Sequence, residues 1–300
     1  MQLFAMSKIL ELFGVSATAK NVNWQKTSHD CWCPYLDRLC LKNRKSAADI
    51  LIGTCSVHYG KDPSPIIICP HRLLQNNKIF FDSAHLLKQH EPGNEYHVVS
   101  EVSIPGGSVD YFLVSVKSGK VKDFVGIELQ TLDTTGTVWP ERQRFLHEKG
   151  IAVPQVDIDC GDSFGMNWKM TAKTILMQLH HKVETFDGLG KRLVLVIQQQ
   201  LLAYIQRKLN FAHVQGVRDG DPLHFHAYKM DQSGDGWKLE LADRVSTDAV
   251  GMAKALGLEA TAKVELNLIL ELLESKISDK TLLKFGTKPL TDIAPPTPPS

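Results

Sequence analysis

Asp110, Glu128 and Gln130 are the residues whose types and spacing point most directly to chemistry. Asp110 opens the apolar run Tyr111-Phe112-Leu113-Val114-Ser115-Val116. Glu128 and Gln130 close a second run that begins at Phe124. A polar turn at Ser118-Gly119-Lys120 joins them, and a glycine-containing turn between β-rich runs predicts a hairpin. Residues two apart on a strand share a face, so Glu128 and Gln130 point together while Leu129 turns into a core. Antiparallel pairing about the turn places Asp110 beside them. Two carboxylates and a third oxygen-bearing side chain suit a hard divalent ion such as Mg²⁺. Such an ion clamps a phosphate oxygen and activates water for attack. The same residues also fit a strand-edge charge and a solvated strand face. Glu101, in the short preceding strand Glu101-Val102-Ser103-Ile104, is an additional carboxylate for the site or a surface one.

The second chemical feature is cysteine. Five of the six, Cys31, Cys33, Cys40, Cys55 and Cys69, fall within thirty-nine residues. Clustered thiols in a chain without a disulfide framework suggest a metal site or catalysis. Four thiolates enclose a tetrahedral Zn²⁺ or Fe ion and would stabilise a loop-rich segment. Scattered core cysteines are the other reading, and Cys31 and Cys33 compete for the first ligand place. Between these cysteines lies the basic run Arg38, Lys42, Arg44 and Lys45, fit to read phosphates or base edges, or simply solvated. Adjacent His180 and His181 are expected to point apart on a helix and are not read as ligands.

These groups need elements to hold them. At 300 residues, 43% hydrophobic and 22% charged, the chain has the composition of a globular protein with a sizeable core. No apolar run is long enough to cross a bilayer, and no signal-peptide pattern opens the chain, so a cytosolic location is expected. A net charge of +1 leaves DNA binding to local basic surface. Leu3, Phe4, Ile9, Leu10, Leu12 and Phe13 predict a helix over residues 2–13, stopped at Gly14. Residues 70–100 read as a linker, with a domain boundary near 82. Asn167 to Lys182 predicts a helix with the apolar stripe Trp168, Ala172, Ile175, Leu176, Leu179 and Val183. Its other face carries Lys169 and Lys173, placed to meet phosphates or to be solvated. Leu193-Val194-Leu195-Val196-Ile197 predicts a strand buried on both faces. His224–Tyr228 and Trp237–Leu241 predict late strands, with His224 and His226 a surface pair. Residues 259–277 predict a helix with Leu266, Ile269, Leu270, Leu273 and Ile277 spaced for core or dimer contact, and residues 295–300 a disordered Pro-rich tail.

An ordered series of fragments resembles the NotI family of restriction endonucleases. It runs Leu12-Phe13-Gly14, Cys33-Pro34-Tyr35, Cys40 with Lys42, Arg44, Lys45 and Ser46, Gly53-Thr54-Cys55-Ser56-Val57 and Ile68-Cys69-Pro70-His71-Arg72. Ser108-Val109-Asp110-Tyr111, Ile127-Glu128-Leu129-Gln130, Asp133-Thr134-Thr135-Gly136 and Asn167-Trp168-Lys169-Met170 follow. The resemblance implies a four-cysteine iron site, with zinc as the alternative, on Cys33, Cys40, Cys55 and Cys69, leaving Cys31 out. It implies an α/β fold with a PD-(D/E)XK restriction-endonuclease-like core behind that N-terminal metal-binding segment. The domains are then residues 1–82, contacting DNA, and residues 83–294, the nuclease.

The implied reaction is Mg²⁺-dependent hydrolysis of a phosphodiester at a GC-rich palindromic site in double-stranded DNA. Asp110 and Glu128 would hold the ion, and Gln130 would stand where the wider superfamily has lysine. Arg38, Lys42, Arg44, Lys45, Lys169 and Lys173 are the expected DNA contacts. A homodimer in the bacterial cytoplasm, with host DNA protected by a cognate methyltransferase, completes the implied restriction-modification system. The chain is shorter than the best-known member, which implies a trimmed recognition surface. A non-enzymatic, metal-stabilised DNA-binding regulator and a structure-specific repair nuclease are the alternatives.

Overall fold

Ile9–Leu12, expected in a helix, form a strand, β1, in the computed structural model of the chain. All four residues are buried. Neighbours on both sides pair with them, and that burial overrides the helical spacing of the apolar residues. The model describes residues 8–44, 46–60, 64–104, 107–161, 164–209, 211, 214 and 216–256. Lys45, the helix expected over 259–277 and the Pro-rich tail lie outside them. β1 turns through Phe13 (φ 50°) and Gly14 (φ 74°) into β2 (Val15–Ser16). Positive φ at both positions is the two-residue hairpin turn that matches strand twist. A Cβ on Gly14 would sit 2.3 Å from the Pro34 ring, so this turn requires glycine.

Helix α1 (Trp24–Asp30) leads to two small ribbons. The first is β3 (Trp32–Cys33) with β4 (Arg38–Leu39), and the second β5 (Asn43–Arg44) with β6 (Ala47–Leu51). The hairpin of β7 (Thr54–Tyr59) and β8 (Ser64–Ile67) completes a sheet in the order β2-β1-β7-β8. A turn of 3-10 helix over Pro70–Asn77 and α2 (Lys78–Ser83) follow.

The segment read as a linker is a packed junction. Arg72 is fully buried; its Nε donates to Glu11 Oε2 at 2.7 Å and its Nη2 to the Trp237 carbonyl at 3.0 Å. Gln198 likewise accepts from Ile67 N–H at 2.9 Å and donates to the Pro65 carbonyl at 2.7 Å, which satisfies the edge of β8. The described residues therefore pack as one compact unit, and position 82 falls at the passage between its two sheets.

The larger sheet holds β9 (Glu95–Ile104), β10 (Gly107–Lys117) and β11 (Lys120–Leu129), the last two being the expected hairpin. A short bridge, β12 (Thr134–Thr135) with β13 (Gly165–Met166), encloses α3 (Trp139–Glu148) and α4 (Gln155–Asp159). The predicted helix is α5 (Trp168–Gly188). It crosses over to β14 (Arg192–Gln198), and α6 (Gln199–Lys208) crosses to β15 (Leu223–Ser233). β16 (Gly236–Thr247) and α7 (Ala249–Leu256) end the described chain. The order is β16-β15-β14-β11-β10-β9, with β14 parallel to both of its neighbours. Leu193 through Ile197 are fully buried, as a parallel strand covered on both faces should be. No helix among the described residues is long and apolar enough to cross a membrane.

His224 and His226 are buried, not a surface pair, because β15 lies inside the sheet under α2. Burial lowers them to about 4 and about 3, and nearby His85 and Arg244 push His226 the same way. Neither ring nitrogen of His226 has a hydrogen-bond partner. Both folded-state values lie below the unfolded value near 6.5, so acid protonates the unfolded chain first. Stability is then complete above about pH 6.5 and falls as pH drops toward 4, by about 1.4 kcal/mol per pH unit for each histidine. Urea unfolding at pH 7, 6 and 5 measures this. His226→Phe should flatten the acid limb, and an unchanged limb would remove His226 from the account.

Candidate active site

The β10–β11 register brings the two expected carboxylates together. Tyr111 pairs with Ile127, so Asp110 and Glu128 stand one step further along, on one face. Asp110 Oδ2 accepts the Leu129 N–H at 2.8 Å, which fixes its carboxylate at the end of β11. Glu128 is 6% exposed. Burial pushes its carboxyl up to about 7, with Asp110 adding to the rise and Lys182 opposing it. Gln130 follows at the strand end. Its N–H continues the ladder to the Val196 carbonyl, and its side-chain amide donates to the Thr131 carbonyl at 2.6 Å.

A cleft of about 170 Å³ lies beside Asp110, lined also by Pro70, His71, Glu101, Tyr111 and Leu129. Glu101 is exposed on β9 with φ 55°, between Val102 and Ser100, which pair with Val109 and Tyr111 on either side of Asp110. A left-handed residue without glycine is a local strain that often marks function. Glu101 therefore stands across from Asp110 and lines the same cleft.

Two residues here were not singled out as site residues from sequence. Lys182 projects from α5, with its Nζ 2.6 Å from Glu128 Oε1 and also donating to the Ser108 carbonyl. Its sequence signal is its place on the buried stripe, since Ile175, Leu179, Lys182 and Phe186 follow at offsets of four, three and four. A buried lysine on an apolar stripe needs an anion. His71 is the second. It follows Cys69-Pro70 into the cleft, and its Nδ1 is buried without a partner. Burial lowers its pKa, with Arg38 and Lys42 reinforcing and Asp110 opposing.

Cys33, Cys40, Cys55 and Cys69 are all buried. Cys33 and Cys40 flank the β3–β4 ribbon, while Cys69 N–H donates to the Cys55 carbonyl at 3.2 Å. Burial raises the thiols of Cys33, Cys55 and Cys69, and each is raised further by other members of the set. The partly exposed Cys31 turns its sulfur to the Ser28 carbonyl at 3.1 Å. Four buried thiols are a soft donor set of the kind that iron or zinc takes. Their spacing is wider than a closed site. Among the described residues, the trio of ligand atoms all within 4.8 Å of one another is His180, His181 and Glu184. There Glu184, at offsets of four and three, bridges two imidazoles that were expected to diverge.

Of the basic residues, Arg38 is exposed on β4 and acts electrostatically on His71 and Tyr111 at the cleft. Lys42 Nζ donates to the Ile68 carbonyl at 2.9 Å, and Arg44 stacks on Trp139 at 4.3 Å. Lys169 and Lys173 are exposed on α5.

Acidic side chains paired across a hairpin, backed by a buried lysine and flanked by basic loops, are what phosphodiester chemistry needs. A search of curated proteins gives no match. The family profile of restriction endonuclease NotI matches residues 20–239, which takes in the hairpin, the four buried cysteines and α5. By that match over most of its length the chain belongs to the NotI restriction endonuclease family, type II site-specific deoxyribonucleases that bind and cut double-stranded DNA.

Proposed function

We propose that Asp110 and Glu128 form the hydrolytic centre of a PD-(D/E)XK-like core and would hold Mg²⁺, the ion restriction endonucleases typically use. The observation that carries this reading is the pairing of the two carboxylates across β10 and β11, with Lys182 against Glu128. A bound Mg²⁺ supplies Lewis acidity at the phosphate and at the attacking water. The chain's own groups do the rest. Lys182 aims Glu128 and favours its ionised form against burial. The Gln130 amide orients water without supplying charge. His71 offers a neutral N–H toward the phosphate, and Glu101 adds a carboxylate at the rim. Arg38, Lys42 and Arg44 contact the duplex, with Lys169 and Lys173 as outer phosphate contacts.

The palindromic, GC-rich site, the homodimer that matches its two-fold symmetry and the cognate methyltransferase in a bacterial cytoplasm belong to the same reading. Family membership sets aside the regulator and the repair nuclease. Digestion of long unmethylated DNA with Mg²⁺ and then with EDTA, followed by sequencing of the ends, tests it. Discrete, Mg²⁺-dependent, symmetric ends are expected. Cleavage that persists in EDTA, or ends without a common sequence, would overturn it.

The buried thiols Cys33, Cys40, Cys55 and Cys69 would hold iron or, alternatively, zinc, and order the DNA-contacting loops between them. Cys55→Ser is expected to lose the metal and to open the β7–β8 region to protease. Elemental analysis and limited proteolysis read this out. Full metal content in the variant would show that the ligand set is different.

A further inference from the structure

The latter half of α5 carries His180, His181 and Glu184, whose ligand atoms all lie within 4.8 Å of one another. Helical geometry explains the convergence. At about 100° per residue the two histidines diverge by about 100°, and Glu184 falls between them, about 40° from the first and about 60° from the second. The carboxylate divides accordingly. Its Oε1 stands 3.9 Å from Nδ1 of His180, and its Oε2 3.8 Å from Nδ1 of His181. The two rings are nearly perpendicular, with centroids 5.5 Å apart.

These separations are too long for hydrogen bonds. They approach the ~3.3 Å edge of a tetrahedron with bonds of ~2.0 Å, the length of zinc–nitrogen and zinc–oxygen bonds. The side chains of His181 and Glu184 are 73% and 55% exposed, so small rotations can close the difference. The ionic neighbours of Glu184 are the two imidazoles alone. It also sits one turn from the end of α5, where the helix dipole opposes a bare carboxylate and favours a cation.

We propose that His180, His181 and Glu184 bind Zn²⁺ or another late first-row divalent ion, in a site that shares no residue with the carboxylate pair or the thiols. Imidazoles suit such ions, whereas Mg²⁺ prefers oxygen ligands throughout. Three protein ligands leave the fourth position of the ion to water or an outside ligand. Lys182 belongs to the same turn and reaches the other way, to Glu128. The ion therefore staples the turn that presents Lys182.

Calorimetric titration of Zn²⁺ into the purified protein, in excess Mg²⁺, tests the proposal. The wild type is expected to take up an equivalent that His181→Ala and Glu184→Gln each bind at least about tenfold more weakly, the lower end of what losing even an outer-shell partner costs. Both substituted side chains are mostly exposed, so both variants should fold. Hydrogen exchange locates the ion independently of any other metal the protein holds. Zn²⁺ should slow the amides of residues 184–188 in the wild type and leave them unchanged in His181→Ala. Equal Zn²⁺ uptake and affinity in the wild type and both variants would overturn the proposal. Exchange at the end of α5 that does not respond to Zn²⁺ in the wild type would overturn it as well, by placing the ion elsewhere.

Discussion

Asp110→Asn is expected to lower DNA cleavage by at least on the order of 10²–10³-fold while leaving DNA binding intact. The substitution is chosen for what it keeps. Asparagine retains a carbonyl oxygen for the Leu129 N–H, so the end of β11 keeps its 2.8 Å tie. It removes the negative charge that a hard cation requires. Removing that charge from a surface that meets phosphate should hold affinity level or raise it slightly. Glu128→Gln should behave alike in cleavage, because an amide still accepts from Lys182 but no longer offers an anionic oxygen. Single-turnover cleavage and gel-shift affinity, measured side by side, separate chemistry from binding. Wild-type cleavage in either variant would remove that residue from the site. A parallel loss of binding would instead recast the hairpin as a structural part of the DNA surface.

The pair behind this prediction was legible because everything that makes it is local. A two-residue period, a glycine turn and the residues flanking it bring Asp110 to Glu128 with no knowledge of the rest of the chain. The buried strand Leu193–Ile197 and helix α5 were legible for the same reason. What was not legible depends on distant packing. β1 is four residues long, and so short an apolar run reads equally as helix until β7 is seen beside it. The 70–100 segment looked like a linker because its Pro and Gly are visible in sequence. The role of Arg72, joining Glu11 on β1 to the Trp237 carbonyl on β16, is not. His224 and His226 alternate like surface residues, and only the strand order places them inside. Lys182 carried a local signal, a charge on an apolar stripe, but its partner sits 54 residues away across the crossover.

That partner makes Lys182→Met the second variant with a large expected effect. The strand end has neutral Gln130 near the two carboxylates, so no cation comes from β11 itself. α5 brings one instead, against Glu128 Oε1 and the Ser108 carbonyl. Space there is tight. A Cβ on Gly107 would come within 3.2 Å of Lys182 Cε, so arginine is expected to fit poorly and to restore little. Methionine fills the stem and removes the charge. Glu128 is then left buried without a cation, a change that costs about 3–5 kcal/mol when the charge is retained and less when the carboxyl takes up a proton. Either way the carboxylate is less available. Cleavage should fall on the order of 10²-fold at a temperature where the variant is fully folded. The double variant Lys182→Met with Glu128→Gln should recover stability relative to Lys182→Met, since no charge remains to be buried, and should not recover cleavage. That opposite movement of stability and rate is what a positioning role through Glu128 requires. Recovery of both would leave Lys182 a packing residue, and wild-type cleavage in Lys182→Met would show that the hydrolytic centre works without it.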